Sequence, residues 1–188
     1  MPAVSISRPE PRTIVLVDGE NLVFRFQAMK DEGRKPTSTF HHIPNVFIWH
    51  GDMLQFFGHS LRVNYYTSMV GDTETIDHTR DKIGQILVTG AGYGRRICPQ
   101  VFKKDSNSRK TKLVDLTITI DALRHAYHDH IDQLLLFTGD GDYIPLVKEV
   151  MRQGKQVVVG GFSSGLSTEL RRTGDQFIEI DRFFFETV

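Results

Sequence analysis

The chain has 188 residues, 23 Lys+Arg against 23 Asp+Glu, and one cysteine. That length suits one domain, able to bury roughly 70% of the surface its unfolded chain exposes, so no disulfide or metal staple is needed for folding. Cys98 has no partner for an internal disulfide, and the N-terminus shows neither a signal peptide's apolar core nor a span of about 20 apolar residues; the expectation is a cytoplasmic protein with no membrane segment.

Residues 1–12 hold three prolines and little apolar content and read as a disordered leader to a single domain over 13–188. Thr13-Ile14-Val15-Leu16-Val17 reads as a buried strand ending in Asp18-Gly19-Glu20-Asn21, after which Leu22, Val23 and Phe26 carry the chain into a helix. Polar residues 31–42 form a surface loop. From Pro44 to Phe57 the apolar residues Val46, Phe47, Trp49, Met53 and Leu54 predict a helix, so that 31–60 is an insertion between the first helix and the second strand, Leu61 to Val70.

A helix over about 75–88 follows, broken by Gly90, Gly92 and Gly94. This glycine run is a turn and not a dinucleotide fingerprint, because it follows a helical pattern and precedes a strand-like stretch, 96–102. A polar, basic loop leads to a helix over 112–127, whose core face is expected to be Leu113, Leu116, Ile120, Leu123 and Ala126. His125, His128 and His130 fall in its last turn, where the helix dipole favours them, and give no zinc signature.

Leu134-Leu135-Leu136-Phe137 reads as a second strand buried on both faces. It runs into Thr138-Gly139-Asp140-Gly141-Asp142, and Ile144, Pro145, Leu146, Val147 and Val150 then open a helix. Taken alone, the pair reads equally well as purely structural, with Asp142 capping the helix and Asp140 making the turn. A helix to Met151, a strand over 156–159, a helix around 166–171 and a strand over 176–180 complete the chain.

Strands alternating with helices predict an α/β three-layer sandwich with a mostly parallel sheet flanked by helices. The two most apolar strands should be central. If they are neighbours, Asp18, Asp140 and Asp142 converge at their carboxyl ends, and Asp115, in the first turn of its helix, approaches from the side. Asp121 lies six residues further on, about 120° round the helix, and is the weaker candidate. Like charges about 4 Å apart repel by a few kcal/mol, so such a cluster calls for a cation, and oxygen-only ligands favour Mg²⁺ or Mn²⁺. Between Arg95 and Lys112 lie seven basic residues against one acid, Asp105, a segment suited to a polyanionic partner.

Asp18-Gly19-Glu20-Asn21, Lys112-Leu113-Val114-Asp115 with Asp121-Ala122-Leu123, Thr138 to Leu146, Gly154-Lys155-Gln156-Val157, and Ser164 to Leu170 with Asp175 and Phe177 together resemble the NYN domain, LabA-like branch, of the PIN-like nuclease superfamily. The resemblance spans about 14–180. It implies a PIN-like fold and a Mg²⁺- or Mn²⁺-dependent endoribonuclease. It places Asp18, Asp115, Asp140 and Asp142 at the metal as catalytic residues, with Asn21, Asp121 and Thr138 in support.

On that reading Asp142 holds a second ion or a metal-bound water, and Lys103, Lys104, Arg109, Lys110 and Lys112 track the phosphates of single-stranded RNA. The partner readings left open are a second copy of the chain, as a homodimer, and a protein docking on 31–60. Two rival functions stand beside it. A non-catalytic RNA- or protein-binding regulator would keep the fold without the chemistry. A haloacid dehalogenase-type phosphatase would want an aspartate where Glu20 stands, and leaves Asn21 and the basic loop without a role.

Overall fold

The computed structural model describes residues 10–55, 57, 60–88, 95–105 and 112–186. Residues 1–9 of the expected leader 1–12, the glycine run at 90–94 and the basic stretch at 106–111, with Arg109 and Lys110, lie outside the described residues, whereas Arg12 is fixed to Asp132. Strand β1 (Thr13–Asp18) leads into helix α1 (Gly19–Asp31), then a hairpin of β2 (His41–Ile43) and β3 (Phe47–Trp49), and β4 (Ser60–Met69). Next come α2 (Thr73–Gly84), β5 (Leu87–Val88), β6 (Arg95–Lys103), α3 (Lys112–Tyr127) and β7 (Gln133–Phe137). The chain then runs through α4 (Ile144–Arg152), β8 (Gln156–Gly161), α5 (Thr168–Thr173), β9 (Gln176–Glu179) and α6 (Asp181–Phe184).

Among the described residues, seven strands form one sheet in the order β5-β6-β4-β1-β7-β8-β9. All neighbours pair in parallel except β5 with β6. The chain leaves β1 toward β4 and β6, then returns by α3 to β7 on β1's other side. Because parallel crossovers keep one hand, this reversal puts α1, α2 and the hairpin on one face of the sheet and α3, α4 and α5 on the other. The sheet is thus the middle of three layers, and β1 stands where the strand order reverses, the place where open sheets form crevices. The β1 and β7 residues from Ile14 to Val17 and from Leu134 to Phe137 are at most 1% exposed.

The far edge of this strand pair is tied by charge. Arg12 forks onto Asp132 at 2.8 and 3.0 Å, and that hydrogen bond, with the attraction behind it, draws the Asp132 carboxyl down to about 2. Its exposure keeps the energetic contribution small.

Three segments depart from the sequence expectation. The predicted helix from Pro44 to Phe57 is the β2–β3 hairpin and a short 3₁₀ turn, Gly51–Leu54. Val46, Phe47, Ile48 and Trp49 are all buried in succession, which a strand between two layers permits and an amphipathic helix does not. Asn45 takes φ 60° in the turn, a conformation asparagine tolerates, and the Val46 N–H closes it onto the Ile43 carbonyl at 3.0 Å. The helix expected to reach Val88 ends at Gly84, and Leu87 and Val88 pair antiparallel with Arg96 and Arg95.

The third departure is α3. Its core face is Val114, Ile118, Ala122 and Ala126, whereas Leu113, Leu116 and Ile120, expected inside, are 51, 56 and 52% exposed. The helix is apolar on two opposite faces, so periodicity alone does not choose between them. The choice is testable with the same truncation two residues apart. In dilute solution Ile118→Ala should cost about 2–5 kcal/mol in chemical denaturation, and Ile120→Ala about 0.5 kcal/mol or less.

Candidate active site

Asp18, the last residue of β1, is fully buried. Its Oδ1 accepts the Asn21 N–H at 3.0 Å, capping α1, and its Oδ2 accepts the Thr138 hydroxyl at 3.0 Å. Asn21 carries the clamp back across the strand order reversal, its Oδ1 accepting the Gly139 N–H at 2.9 Å. Thr138 Oγ1 in turn accepts the Asp140 N–H at 3.2 Å. Gly19 makes this possible sterically: a Cβ there would lie 2.2 Å from the Tyr65 ring and 2.7 Å from the Tyr66 carbonyl oxygen.

Asp140 is half-buried and caps the 3₁₀ turn Gly141–Tyr143, its Oδ1 accepting the Asp142 N–H at 3.0 Å. The plain structural reading of the sequence has Asp142 capping the helix and Asp140 making the turn. In the structure Asp140 is the cap, and Asp142 is exposed. Tyr143, 3% exposed, sends its hydroxyl to Asp115 Oδ1 at 3.0 Å. Burial first, then the negative charges of Asp18, Asp115 and Asp140, push the Tyr143 phenol far above its ordinary range. Asp115 on α3 thus accepts the Tyr143 hydroxyl directly, while Asp18 at the end of β1 and Asp140 after β7 act on the phenol through their charge.

Tyr143 has no place among the residues expected from the sequence. The signal that could have found it is its position directly after Asp140-Gly141-Asp142 at the start of α4, from which its hydroxyl reaches Asp115 in the first turn of α3.

The remaining candidates divide. Asp121 accepts the Tyr66 hydroxyl at 2.7 Å and pairs with Arg124 at 3.0 Å, away from the Tyr143 group, as its angular offset from Asp115 requires. Glu20 accepts the Ser68 hydroxyl and lies 3.9 Å from the Lys104 ammonium, which places this pair over the ends of β4 and β6. Lys103 and Lys112 are exposed. Arg95 and Arg96 begin β6 and so sit at the opposite edge of the sheet from Lys103, roughly 25 Å away along an extended strand. The basic segment is split between two edges, and Lys103 and Lys104 share the edge that carries Asp18.

The donor set near Tyr143 is carboxylate oxygen, the chemistry of Mg²⁺ and Mn²⁺ rather than of zinc. Among the described residues no three His, Cys, Asp or Glu side chains close on a single ion position. Mg²⁺ commonly keeps several waters and takes one or two carboxylates, so a donor set of this chemistry suits such an ion.

A family model described as the NYN domain matches residues 12–181. The fold resembles a crystal structure of a protein of unknown function from Vibrio parahaemolyticus, with a TM-score of 0.61 and 20% identity, over 96% of this chain and 99% of that one. A segment of 71 residues, 38% of this chain, is 32% identical to an uncharacterized protein of Methanocaldococcus jannaschii and covers 30% of that relative's length.

Two measurements probe the carboxylates without a substrate. Asp140→Asn keeps the Oδ1 acceptor of the cap and removes one negative charge, so in EDTA it should melt at or above the parent's temperature. Mn²⁺ should stabilise the parent, by about 2.7 kcal/mol at a hundredfold excess over the dissociation constant, and the variant much less. A parent indifferent to Mn²⁺ by calorimetry counts against a metal at this place.

The second measurement is alkaline unfolding. Tyr65, Tyr66 and Tyr143 are all raised above 10, with burial the first cause in each. Their contribution is fully present below the unfolded value near 10 and is lost as pH climbs above it, with a slope of up to about 1.4 kcal/mol per pH unit for each tyrosine. Tyr143→Phe should flatten that decline in denaturant titrations between pH 9 and about 11.

Proposed function

Because the chain belongs to the NYN domain family, we propose that it is a Mg²⁺- or Mn²⁺-dependent endoribonuclease of the LabA-like branch, hydrolysing single-stranded RNA in the cytoplasm. The observation that carries this reading is the seating of Asp18 and Asp140 at adjoining strand ends where the strand order reverses, both hydrogen-bonded to Thr138 Oγ1, with Asp115 on the neighbouring Tyr143. When bound, the cation supplies a more acidic water and neutralises charge on the phosphoryl oxygens.

The protein's own residues supply position. Asp18 is held by Asn21 and Thr138, so its carboxylate is oriented before any ligand arrives. Asp140 is set by the turn it caps, and Asp115 by the Tyr143 hydroxyl, which stays protonated and donates to it. The exposed Asp142 belongs to a second cation or to its water shell. Lys103 and Lys104, at the ends of the same sheet edge, with Lys112 at the start of α3, attract the flanking phosphates in a sequence-tolerant way.

A regulator that binds RNA without cleaving it is the second reading. It draws on the structural work these carboxylates already do, since Asp18 caps α1 and Asp140 caps the turn before α4. Incubation with labelled single-stranded RNA decides between them. Cleavage that needs Mn²⁺ and falls at least a hundredfold in Asp140→Asn is the expected result. Binding without cleavage, weakened by Lys103→Ser with Lys104→Ser and with a flatter salt dependence, would establish the regulator instead.

A further inference from the structure

Helix α1 carries two side chains that neither the core nor the carboxylate group accounts for, Phe24 and Arg25. Arg25 lies one turn beyond Asn21, so the two share a side of the helix, and side chains on a helix lean toward its N-terminus, here the end at Asp18. The guanidinium rests on the loop after β8: a Cβ at Gly165 would lie 1.9 Å from Arg25 Cζ and 2.0 Å from Nη1, and that glycine holds φ 64°. The same loop closes onto the end of β7, where a Cβ at Gly139 would lie 3.4 Å from Asn21 Oδ1 and 3.5 Å from the Gly165 carbonyl oxygen. Arg25 is thus seated beside the carboxylates.

The protein does not answer its charge. Arg12, Arg34, Arg80, Arg124 and Arg152 each face an aspartate or glutamate. Arg25 is half-buried with its Nε enclosed and lacking a hydrogen-bond partner, and among the described residues its guanidinium meets no carboxylate. What it meets is the ring of Phe24, with Cζ 5.4 Å from the centroid, and that ring is 60% exposed. An enclosed donor left without an acceptor costs free energy, and an arriving anion offsets that cost. A guanidinium fork takes a phosphate through two parallel hydrogen bonds, and an exposed aromatic ring offers its face to a base, the pair of contacts by which single strands are held.

We propose that Arg25 and Phe24 form a nucleotide subsite flanking the carboxylates on the β8 side, in which Arg25 holds a backbone phosphate of the RNA and Phe24 stacks on the adjoining base; this rests on the RNA reading above. The strand order gives the subsite its place. Lys103 and Lys104 stand at the end of β6 and Gly165 follows β8, with Asp18 and Asp140 at the ends of β1 and β7 between them. Four interstrand spacings separate the two ends, roughly 20 Å, so a single strand laid across the edge meets cations on both sides of the carboxylates.

Binding is separated from cleavage by fluorescence anisotropy of a labelled single-stranded RNA, measured in EDTA and again with Ca²⁺, across salt concentrations. Arg25→Gln should weaken binding about tenfold and lower the salt slope by about 0.7, the loss of one phosphate contact, whereas Arg25→Lys should restore the slope and part of the affinity. Phe24→Ala should weaken binding about tenfold at an unchanged slope, and Phe24→Tyr should keep the parent's affinity. In Phe24→Trp the exposed indole reports stacking directly: RNA should quench its emission, while the fully buried Trp49 supplies a constant background. Phe24 is exposed, so its variants keep the parent's fold and test the subsite even where Arg25→Gln unfolds. If Arg25 only packs on Gly165, Arg25→Gln lowers the melting temperature at the parent's affinity and salt slope. That result, or Phe24→Trp emission indifferent to bound RNA, would overturn the subsite and leave RNA as the substrate. A parent that binds no RNA under either condition would overturn both.

Discussion

The arrangement of this protein depends on one fully buried carboxyl side chain, Asp18, being met by hydrogen-bond donors. Burying a lone carboxylate costs several kcal/mol, and the cost is offset only when donors meet it from fixed directions. Here the donors come from two sides: the Asn21 N–H from the first turn of α1 and the Thr138 hydroxyl from the end of β7. Both require β1 and β7 to be adjacent and in register, Val17 against Phe137, so the hydrogen bonds of one side chain specify the centre of the sheet.

Close backbone approach at the same place follows from side chains that are absent. Gly19 leaves room for Tyr65 beneath the start of α1, and Gly141 leaves room for Ser167, whose Oγ would lie 2.9 Å from an added Cβ. The loop after β8 closes onto the end of β7 through the Ser167 N–H and the Gly139 carbonyl at 3.0 Å. The mouth of the site is therefore built from β1, β7 and β8 held by main-chain contacts, with the charged side chains mounted on a rigid frame.

Charge is graded along this edge of the sheet. Over β1 and β7 the carboxylates of Asp18, Asp115 and Asp140 meet a phenol that burial and their own field keep neutral. Over β4 and β6 the negative charge of Glu20 is met by Lys104 and by the Ser68 hydroxyl. The edge therefore carries the Lys104–Glu20 pair and the exposed Lys103 at one end and a group of carboxyl side chains at the other.

Much of the fold was legible because it is written in short-range patterns. The apolar runs of β1 and β7, each ending in carboxylate and glycine, marked the central strands, and the alternation of strands with helices marked the parallel sheet. Asp18 and Asp140 were legible because strand ends are visible in sequence, and Asp115 because the first turn of a helix is. What the sequence determined by itself is the set of elements and the residues at their ends, since propensity, capping and turn chemistry act within a few residues. Which face of α3 enters the core, that Phe47 to Trp49 form a buried hairpin strand, that Tyr143 joins the carboxylates while Asp142 stays in water, and that the basic segment divides between two edges were decided only by tertiary structure. Each depends on what packs against the residue from a distant part of the chain, and a helix apolar on two faces or four apolar residues in succession satisfies more than one local pattern equally well.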